Sequence, residues 1–552
     1  MASRKNILFI MVDEKAFPFV YEDTNLQSWR STYLTAENFL RTNCMDYLKH
    51  YTSSNACSPS RATLFTGHYP PLHGVSQTDG VAKGAIDADM PWLPKGTVPT
   101  MGNYFEEAGF KTFYKGKWHI SFEDIRTPGS NSELESVVSY DVTTGEPDPY
   151  LNELYLKNDP LKDYGFRHWV GPEPFSVSPN NTGESSKTQT GGRDPIYEQE
   201  VVNMINDLRG CCEPWMMVAS FVNPHDIVFY GDFAPYFPNI DFTLDPTVPA
   251  IPDPPTFGED LSTKPTAQAS YKQIYGEMLQ PITNVAYYRQ FYYTLQKKVN
   301  ERIYNVLQAI KNSPMYEDTI IVFTSDHGDL LSSHGGLFEK WHCAYEEAIH
   351  VPLIIHNPVL FTQYHSTENL TTHVDLLPTL LSMANVDTDI IRNILSKSFT
   401  QAVPLVGKLM YCEFDNNIIN YQYDTTRVNE AIYFWTTDSP SSGLNNINGL
   451  TKKQFGTVVE PNSVEAIVVY YNGSLYKYAI YFDPTNSATP LQYEMYNLTT
   501  DPIEAINLAY STNSTTNTQA IQSELNTILL QQRSLKNIKP TLYTNPLPAV
   551  LG

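Results

Sequence analysis

The sequence contains few cysteines and no long apolar segment. Its six cysteines are spread over 552 residues. They show neither the paired spacing of a zinc site nor the density of a disulfide framework, so the zinc-finger and small disulfide-rich classes are excluded. We expect the adjacent Cys211 and Cys212 to be buried thiols. No segment approaches the roughly 20 consecutive apolar residues of a transmembrane helix, so we expect no membrane partner.

Basic residues are also scarce. The chain has 37 lysines and arginines against 60 aspartates and glutamates, for a formal net charge of −23. Because nucleic acids and anionic membranes are bound through basic patches, neither is an expected partner. The apolar stretch near the N-terminus ends at Asp13 and is too short for a secretory signal, which favours a cytoplasmic protein. The oligomeric state stays open, a homo-oligomer included.

Several apolar runs of strand length occur before residue 405. Residues 6–12, 215–222 and 319–323 are nearly continuous apolar runs, which is typical of parallel strands covered on both faces. Residues 288–310 instead carry apolar side chains at spacings of three and four, which predicts a core-facing helix. Strand and helix patterns that follow one another in this way predict an α/β fold.

The pattern changes after residue 405, where the runs become shorter and rich in Tyr, Thr and Asn. Residues 466–471 and 475–482 flank Asn472 and Gly473, which is a strong signal for a β-hairpin. The sequence therefore predicts two domains. They are a catalytic α/β domain of residues 1–405 and a C-terminal domain of residues 406–552 with a small antiparallel sheet and a helix.

Residues 55–67, with the sequence NACSPSRATLFTG, concentrate reactive and polar groups. Cys57, Pro59 and Arg61 lie within about one helical turn, and proline is tolerated in the first turn of a helix. The expected geometry is a helix that begins near Cys57. Free backbone amides, the positive end of the helix dipole and Arg61 would then favour an anion beside the sulfur, as in sulfate and phosphate sites.

Acidic residues follow two of the apolar runs. Asp13 and Glu14 come directly after the first run, and Asp326 and His327 follow the third. Ligands of open α/β sheets bind outside the carboxyl ends of the strands. These four side chains are therefore candidates for a metal site, against the alternative that acids at a strand end are only solvated.

These features occur in a family-like order. The Cys57-x-Pro59-x-Arg61 pattern occurs together with further family-like blocks between Asn6 and Leu508, which include Lys117-Trp118-His119, His225, Asp326-His327 and Lys340. The order resembles that of the type I, formylglycine-dependent sulfatases of the alkaline phosphatase superfamily, and the resemblance spans nearly the whole chain. It implies a large mixed, mostly parallel sheet sandwiched by helices, with a smaller C-terminal antiparallel-sheet domain.

The resemblance also implies a modified nucleophile and a metal ion. In that family the cysteine at the position of Cys57 is oxidised to formylglycine by a formylglycine-generating enzyme, and the hydrated aldehyde attacks the substrate. The implied ligands of one divalent cation are the Cys57-derived group and the side chains of Asp13, Glu14, Asp326 and His327. Oxygen ligands favour Ca²⁺, and the imidazole makes Mn²⁺ the alternative. Glu14 stands where the family usually has aspartate.

The remaining family-like residues are implied to bind and cleave the substrate. Four side chains would offset charge on the sulfate oxygens: Arg61, Lys117, Lys340 and His225. His225 would protonate the leaving alcohol, and His119 would act as the base. Three other histidines have no assigned role. His350 stands where many relatives carry arginine, and His334 and His342 either line the pocket or are loop residues.

The implied activity is hydrolysis of a small anionic sulfate monoester of an aryl or alkyl alcohol. A first alternative keeps the same nucleophile but acts on phosphonate monoesters or phosphodiesters, which the Asp326-His327 pair favours. A second alternative is an inactive sulfatase-like binding protein, which the departures at Glu14 and His350 would indicate.

Overall fold

A computed structural model describes residues 4–126, 136–174, 178–410 and 430–540. The strands are β1 Asn6–Asp13, β2 Cys44–Tyr47, β3 His50–Tyr51, β4 Lys111–Gly116, β5 Trp215–Pro224, β6 Thr319–Ser325, β7 Leu353–His356, β8 Tyr364–Thr367, β9 Thr371–Thr372, β10 Ile432–Thr436, β11 Ser463–Tyr471, β12 Ser474–Phe482 and β13 Gln492–Asn497.

The α-helices are α1 Thr24–Tyr33, α2 Thr35–Leu40, α3 Cys57–Thr66, α4 Pro70–His73, α5 Met101–Glu107, α6 Pro149–Asn158, α7 Asp194–Asp207, α8 Thr266–Met278, α9 Val285–Lys311, α10 Ser333–Gly336, α11 Glu346–Ile349, α12 Leu376–Met383, α13 Thr388–Leu395 and α14 Thr516–Lys536. None of the described helices combines the length and the apolar character that crossing a bilayer requires.

A mixed seven-stranded sheet lies at the centre of the larger part of the chain. Its strand order is β4-β5-β1-β6-β7-β2-β8. Strands β4, β5, β1 and β6 are parallel, with Ile7 opposite both Met216 and Ile320, whereas β7 runs antiparallel to β6 and β2. The predicted mixed, mostly parallel sheet is confirmed.

Helices cover both faces of this sheet, because side chains along β1 alternate between two cores. Ile7 and Phe9 pack in one core with residues of α3, α5 and α12. Leu8 and Ile10 point to the opposite face and pack with residues of α2, α7 and α9. A continuous apolar run is what a strand covered on both faces requires. The 27-residue helix α9 buries the predicted apolar stripe.

A separate four-stranded antiparallel sheet, in the order β10-β11-β12-β13, follows the large sheet along the chain. The predicted hairpin is confirmed, since β11 and β12 pair with Tyr471 opposite Ser474. Helix α14 packs Leu525 and Leu529 into the same apolar cluster as Ile467 of this sheet. The domain boundary between residues 405 and 406 stays a prediction.

The prediction that Cys211 and Cys212 are buried was wrong. Cys211 is half-buried and Cys212 is exposed, because both lie in the surface turn after α7, just beyond Gly210. The other described cysteines, Cys44, Cys57 and Cys343, are buried free thiols. Cys412 lies outside the described residues.

His334 lies in a buried cluster of charged side chains. The His334 ring stacks on Tyr345 with 3.5 Å between ring centroids. Its Nε2 lies 3.2 Å from Glu347 and its Nδ1 lies 3.3 Å from Glu259. Burial lowers the pKa of His334, but Glu347 and Glu259 outweigh it and raise the pKa to about 9. His334 is not among the residues that line the active-site cavity.

His334 should make the stability of the protein depend on pH. Its pKa is higher in the folded chain than the ordinary value of 6.5, so its contribution is complete below about pH 6.5 and is lost as the pH rises through about 9. We expect the deprotonation of His334 at high pH to lower the free energy of unfolding by up to about 3 kcal/mol. Chemical denaturation at several pH values should show that the free energy of unfolding depends less on pH in His334→Gln than in the wild type.

The matched control for this prediction is His365→Gln on β8, which should leave the pH profile of the wild type unchanged. Equal pH slopes in His334→Gln and the wild type would contradict the prediction.

Candidate active site

The carboxyl ends of four parallel strands converge on one site, as expected for ligand-binding α/β sheets. Asp13 is the last residue of β1, and Asp326 follows β6. Lys117 follows β4, and His225 follows β5. All four strands are buried along most of their length, so their ends are held in fixed positions.

Cys57 is the first residue of α3, as the sequence predicted, and it is buried. Its Sγ lies 3.1 Å from Nε2 of His327 and 3.6 Å from Oδ1 of Asp13. Burial, with the charge of Asp13 as the next cause, raises the pKa of the Cys57 thiol to about 12. The thiol is therefore protonated at neutral pH, and an unmodified Cys57 is a weak nucleophile.

Arg61 is fully buried and directs its guanidinium at protein acceptors. Its Nε lies 2.8 Å from Asp326 and its Nη2 lies 3.0 Å from Asp13. The remaining nitrogen, Nη1, donates to the carbonyl of Lys117 and to Ser220 Oγ. The sequence predicted that Arg61 faces an anion. The anions that it contacts are the two carboxylates.

These contacts place Asp13 in a strongly positive environment. Burial alone would raise the pKa of the Asp13 carboxyl, but Lys117, His225 and Arg61 outweigh it and hold that pKa well below its usual range. The Nζ of Lys117 lies 2.5 Å from Asp13 Oδ2. Asp13 is therefore ionised at neutral pH, as a metal ligand must be.

The donor atoms of Asp13, Cys57, Asp326 and His327 all lie within 4.8 Å of one another, and all four residues are buried. The His327 ring is oriented by its Nδ1, which lies 3.0 Å from the carbonyl oxygen of Gly328. Two carboxylates and an imidazole nitrogen are a donor set that divalent cations accept in proteins. These residues therefore fit a metal ion of the kind that the resemblance implies.

Glu14 is close to this cluster but makes an ion pair of its own. Its Oε1 lies 2.9 Å from Nζ of Lys340, which lies 2.9 Å from Glu339 as well. The other oxygen, Oε2, is buried and accepts no hydrogen bond from the part of the chain that the structure describes. Burial, with Glu339 as the next cause, raises the pKa of Glu14 well above its usual value. The ligand atom of Glu14 lies within 4.8 Å of that of Asp13, so Glu14 fits a further cation ligand in its ionised form.

His119 is held by two acidic residues that the sequence did not indicate. Its Nε2 lies 2.6 Å from Asp79. Glu173 accepts hydrogen bonds from the backbone N–H groups of Trp118 and His119. Burial lowers the pKa of His119, and Asp79 opposes this effect. Burial also raises the pKa of Glu173, to about 8.

His225 lies next to the same cluster, since Asp13, Glu14 and His225 place their ligand atoms within 4.8 Å of one another. Burial, followed by the charge of Lys117, lowers the pKa of His225 well below its ordinary value. The imidazole is therefore neutral at pH 7 when no anion is bound beside it.

A cavity of about 620 Å³ opens above these residues. Its polar base comprises Cys57, Lys117, His119, His225 and Lys340. Its walls are mostly apolar and come chiefly from four segments, within residues 80–85, 228–237, 278–280 and 447–450, together with Trp341. Arg61 does not belong to the lining residues, in agreement with the contacts described above.

The structure thus brings together all of the predicted site residues, but His334, His342 and His350 are not among the residues that line the cavity. His342 lies 2.9 Å from the carbonyl of Asn462. His350 stacks on Phe17 and lies 3.0 Å from Glu346. Neither lines the cavity, so the change from arginine to His350 leaves the groups around Cys57 in place.

The sequence reasoning missed Asp79, Glu173 and Glu339, and it missed Asp438, whose Oδ2 accepts hydrogen bonds from the backbone N–H of Ala56 and from Nε1 of Trp341. Glu339 could have been found, because it directly precedes Lys340 in a family-like segment. The other three lie in irregular segments without periodicity, and only their contacts in the folded chain distinguish them from solvated acids.

Comparison with known proteins agrees with this geometry. A family model described as Sulfatase matches residues 5–386. The uncharacterized sulfatase YidJ of Escherichia coli (strain K12) is 27% identical over 393 residues, which cover 70% of this chain and 68% of that protein.

Solved structures share the fold. The 2-O GAG sulfatase BT1596 has a TM-score of 0.61 at 19% identity, covering 96% of this chain and 92% of that chain. The phosphonate monoester hydrolase of Agrobacterium radiobacter has a TM-score of 0.58 at 17% identity, covering 99% and 98%. At these identities the likeness concerns the fold alone. Since the family model matches more than half of the sequence, the chain belongs to the sulfatase family and is an enzyme of the sulfuric ester hydrolase class.

Proposed function

We propose that this enzyme hydrolyses sulfate monoesters of aryl or alkyl alcohols, with a nucleophile derived from Cys57 and with one divalent cation. Asp13, Glu14, Asp326 and His327 would hold the cation. Their mostly oxygen ligands favour Ca²⁺, and Mn²⁺ is the alternative because of the imidazole. Maturation would require a formylglycine-generating enzyme in the host.

One observation carries the proposal: Cys57, at the start of α3, faces Asp13 and His327 at the base of a cavity. Its thiol has a pKa of about 12 and is poorly suited to attack a sulfate ester. Oxidation to formylglycine would supply an aldehyde whose hydrate offers oxygen nucleophiles at the same position. When bound, the cation would supply Lewis-acid polarisation and neutralise charge.

Lys117 and Lys340 are suited to hold the sulfate group. Both are buried and both line the cavity beside Cys57. Their carboxylate partners, Asp13 and Glu14, raise the pKa of each ammonium against the effect of burial. Both lysines are therefore charged at neutral pH. A preorganised donor of this kind contributes about 2–4 kcal/mol to transition-state binding. Arg61 acts indirectly, since it orients Asp13 and Asp326.

The two histidines at the base of the cavity are suited to proton transfer. An anionic sulfate beside His225 would favour its protonated form, because a nearby negative charge raises the pKa of a base. Protonated His225 would then donate to the oxygen of the leaving alcohol. Asp79 would stabilise the imidazolium that forms when His119 accepts a proton.

The cavity walls favour an uncharged, apolar leaving group. Phe229, Phe233 and Phe237 line one side. Lys83 also lines the cavity, but its Nζ already donates to the carbonyls of Ser439 and Ser442. A cavity of about 150 Å³ holds one benzene molecule. The observed cavity of about 620 Å³ is therefore large enough for an aromatic alcohol and its sulfate.

A phosphonate monoester or phosphodiester is the second candidate substrate. It is favoured by the imidazole of His327 in the metal cluster, which departs from an all-oxygen donor set. An inactive binding protein is not favoured, because Asp13, Cys57, Asp326 and His327 are grouped at one point and His350 is not among the residues that line the cavity.

The test is to compare kcat/KM for 4-nitrophenyl sulfate and for a 4-nitrophenyl phosphonate monoester, with matured enzyme. We expect the sulfate ester to be preferred by at least about tenfold, which is 1.4 kcal/mol of transition-state binding. Preference for the phosphonate ester would transfer the assignment to the second candidate. Negligible rates with both esters would overturn the proposed function.

A further inference from the structure

A single carboxylate, Asp438, contacts three separate segments of the active site. Its Oδ2 accepts hydrogen bonds from the backbone N–H of Ala56 and from Nε1 of Trp341, both at 3.1 Å. Its Oδ1 accepts from the backbone N–H of Thr78 at 3.0 Å. The side chain is buried, with 2% of the residue exposed.

Each of these donors is next to a residue of the site. Ala56 precedes Cys57, Thr78 precedes Asp79, and Trp341 follows Lys340. The nucleophile position, the partner of His119 and the sulfate-binding lysine therefore share one anchor. A charged acceptor forms stronger hydrogen bonds than a neutral one, and burial shields these bonds from water.

Asp438 is itself positioned by the small antiparallel sheet. It lies two residues after the end of β10, and its backbone N–H donates to Oγ1 of Thr436 at 3.2 Å. The same hydroxyl donates to the carbonyl of Asn55 at 2.6 Å. One residue earlier, the N–H of Trp435 donates to the carbonyl of Ser53 at 3.1 Å. The end of strand β10 is thus hydrogen-bonded to the segment that precedes Cys57.

We infer that Asp438 is a positioning residue, which fixes the Cys57, Asp79 and Lys340 segments relative to one another and makes the C-terminal sheet a necessary part of the active site. This inference rests on the proposed function for its kinetic consequences. Because Asp438 does not line the cavity, it acts through its neighbours and not on the substrate.

The test is the substitution Asp438→Asn, which keeps the shape but leaves at least one N–H donor facing an amide NH₂ group. A displacement of about 1 Å at a reacting group lowers turnover by about 100-fold, so we expect kcat to fall by about that factor. We expect KM to change by less than about threefold, because Lys117 lies outside the three anchored segments and Lys340 keeps its ion pairs with Glu14 and Glu339. Rates are to be expressed per mature site, from the aldehyde fraction at residue 57.

The control is Asp483→Asn. Asp483 also accepts hydrogen bonds from two backbone N–H groups and two hydroxyls in the C-terminal part of the chain, but it lies in a turn after β12. We expect its kinetic constants to match those of the wild type.

Amide hydrogen exchange gives a readout that does not depend on activity. In Asp438→Asn the amides of Ala56 and Thr78 should exchange faster together. If that variant does not fold, Thr436→Val provides the second test, with faster exchange at Ala56 and a smaller loss of kcat. A folded Asp438→Asn enzyme with unchanged kcat and unchanged exchange would overturn the inference. A wild type without activity would overturn the proposed function, while the exchange result still decides the role of Asp438.

Discussion

Replacing Cys57 by alanine is expected to lower kcat/KM for 4-nitrophenyl sulfate by about 10⁶-fold, the size of effect seen when a covalent nucleophile is removed. The sulfur of Cys57 occupies the point where Asp13, His327 and the base of the cavity meet. Alanine cannot be oxidised to an aldehyde, so Lys117 and Lys340 would still bind the sulfate group but no nucleophile would face it.

The fold should survive this substitution, because alanine fits the first turn of α3 and Cys57 carries no ionised group in the thiol form. Cys44→Ala is the matched control. Cys44 is also a buried free thiol, but it lies on β2 in the apolar core, and its replacement should leave kcat/KM within about threefold of the wild type. Substantial turnover by a folded Cys57→Ala enzyme would exclude Cys57 as the source of the nucleophile.

Replacing Asp13 by asparagine is expected to have the second largest effect. The substitution removes a negative charge that contacts Arg61 and Lys117 and one of the candidate metal ligands. Loss of one partner from a buried ion pair lowers the free energy of unfolding by about 3 kcal/mol or more. We expect the affinity for the cation to fall by more than about 100-fold and kcat/KM to fall by about 10³-fold or more.

Bound metal per chain and the free energy of unfolding would be measured side by side for Asp13→Asn. The control is Asp245→Asn, which breaks the half-exposed ion pair of Asp245 with Lys297. A surface pair of this kind contributes at most about 1 kcal/mol, so metal content and activity should not change. Normal metal content in Asp13→Asn would contradict the assignment of Asp13 as a ligand.

The fold was largely predictable because its strands carry strong local signals. The run that became β1 is apolar at nearly every position, and the structure buries it between two layers of helices. The Asn472-Gly473 hairpin was predictable for the same reason, since a two-residue turn of this composition fixes its own geometry. The exposure of Cys211 and Cys212 was not predictable from their type, because it depends on where the surface turn lies.

The site was predictable where its residues directly follow a strand. Asp326, Lys117 and His225 do so and Asp13 is the last residue of β1, and the ends of neighbouring parallel strands meet at one edge of the sheet. Which partner Arg61 contacts could not be read from the sequence. An arginine near a helix N-terminus serves an external anion or an internal carboxylate equally well, and here it contacts Asp13 and Asp326.

Asp79, Glu173 and Asp438 could not be predicted, because their partners are distant in sequence. Asp438 is separated by 382 residues from Ala56, and it lies in an irregular stretch after β10. Local composition and periodicity carry no information about such contacts. The contacts of Asp438 depend on how the segment after β10 packs against the nucleophile segment, and only the folded chain displays this packing.

The most direct test of the central claim is the chemical state of residue 57, read by peptide mass spectrometry and compared with turnover in the same preparations. Enzyme would be produced with graded amounts of a formylglycine-generating enzyme, so that the converted fraction of Cys57 varies. The account predicts that kcat per chain for 4-nitrophenyl sulfate rises in proportion to the aldehyde fraction and approaches zero with unmodified cysteine. Full turnover by enzyme whose Cys57 is an unmodified thiol would contradict it.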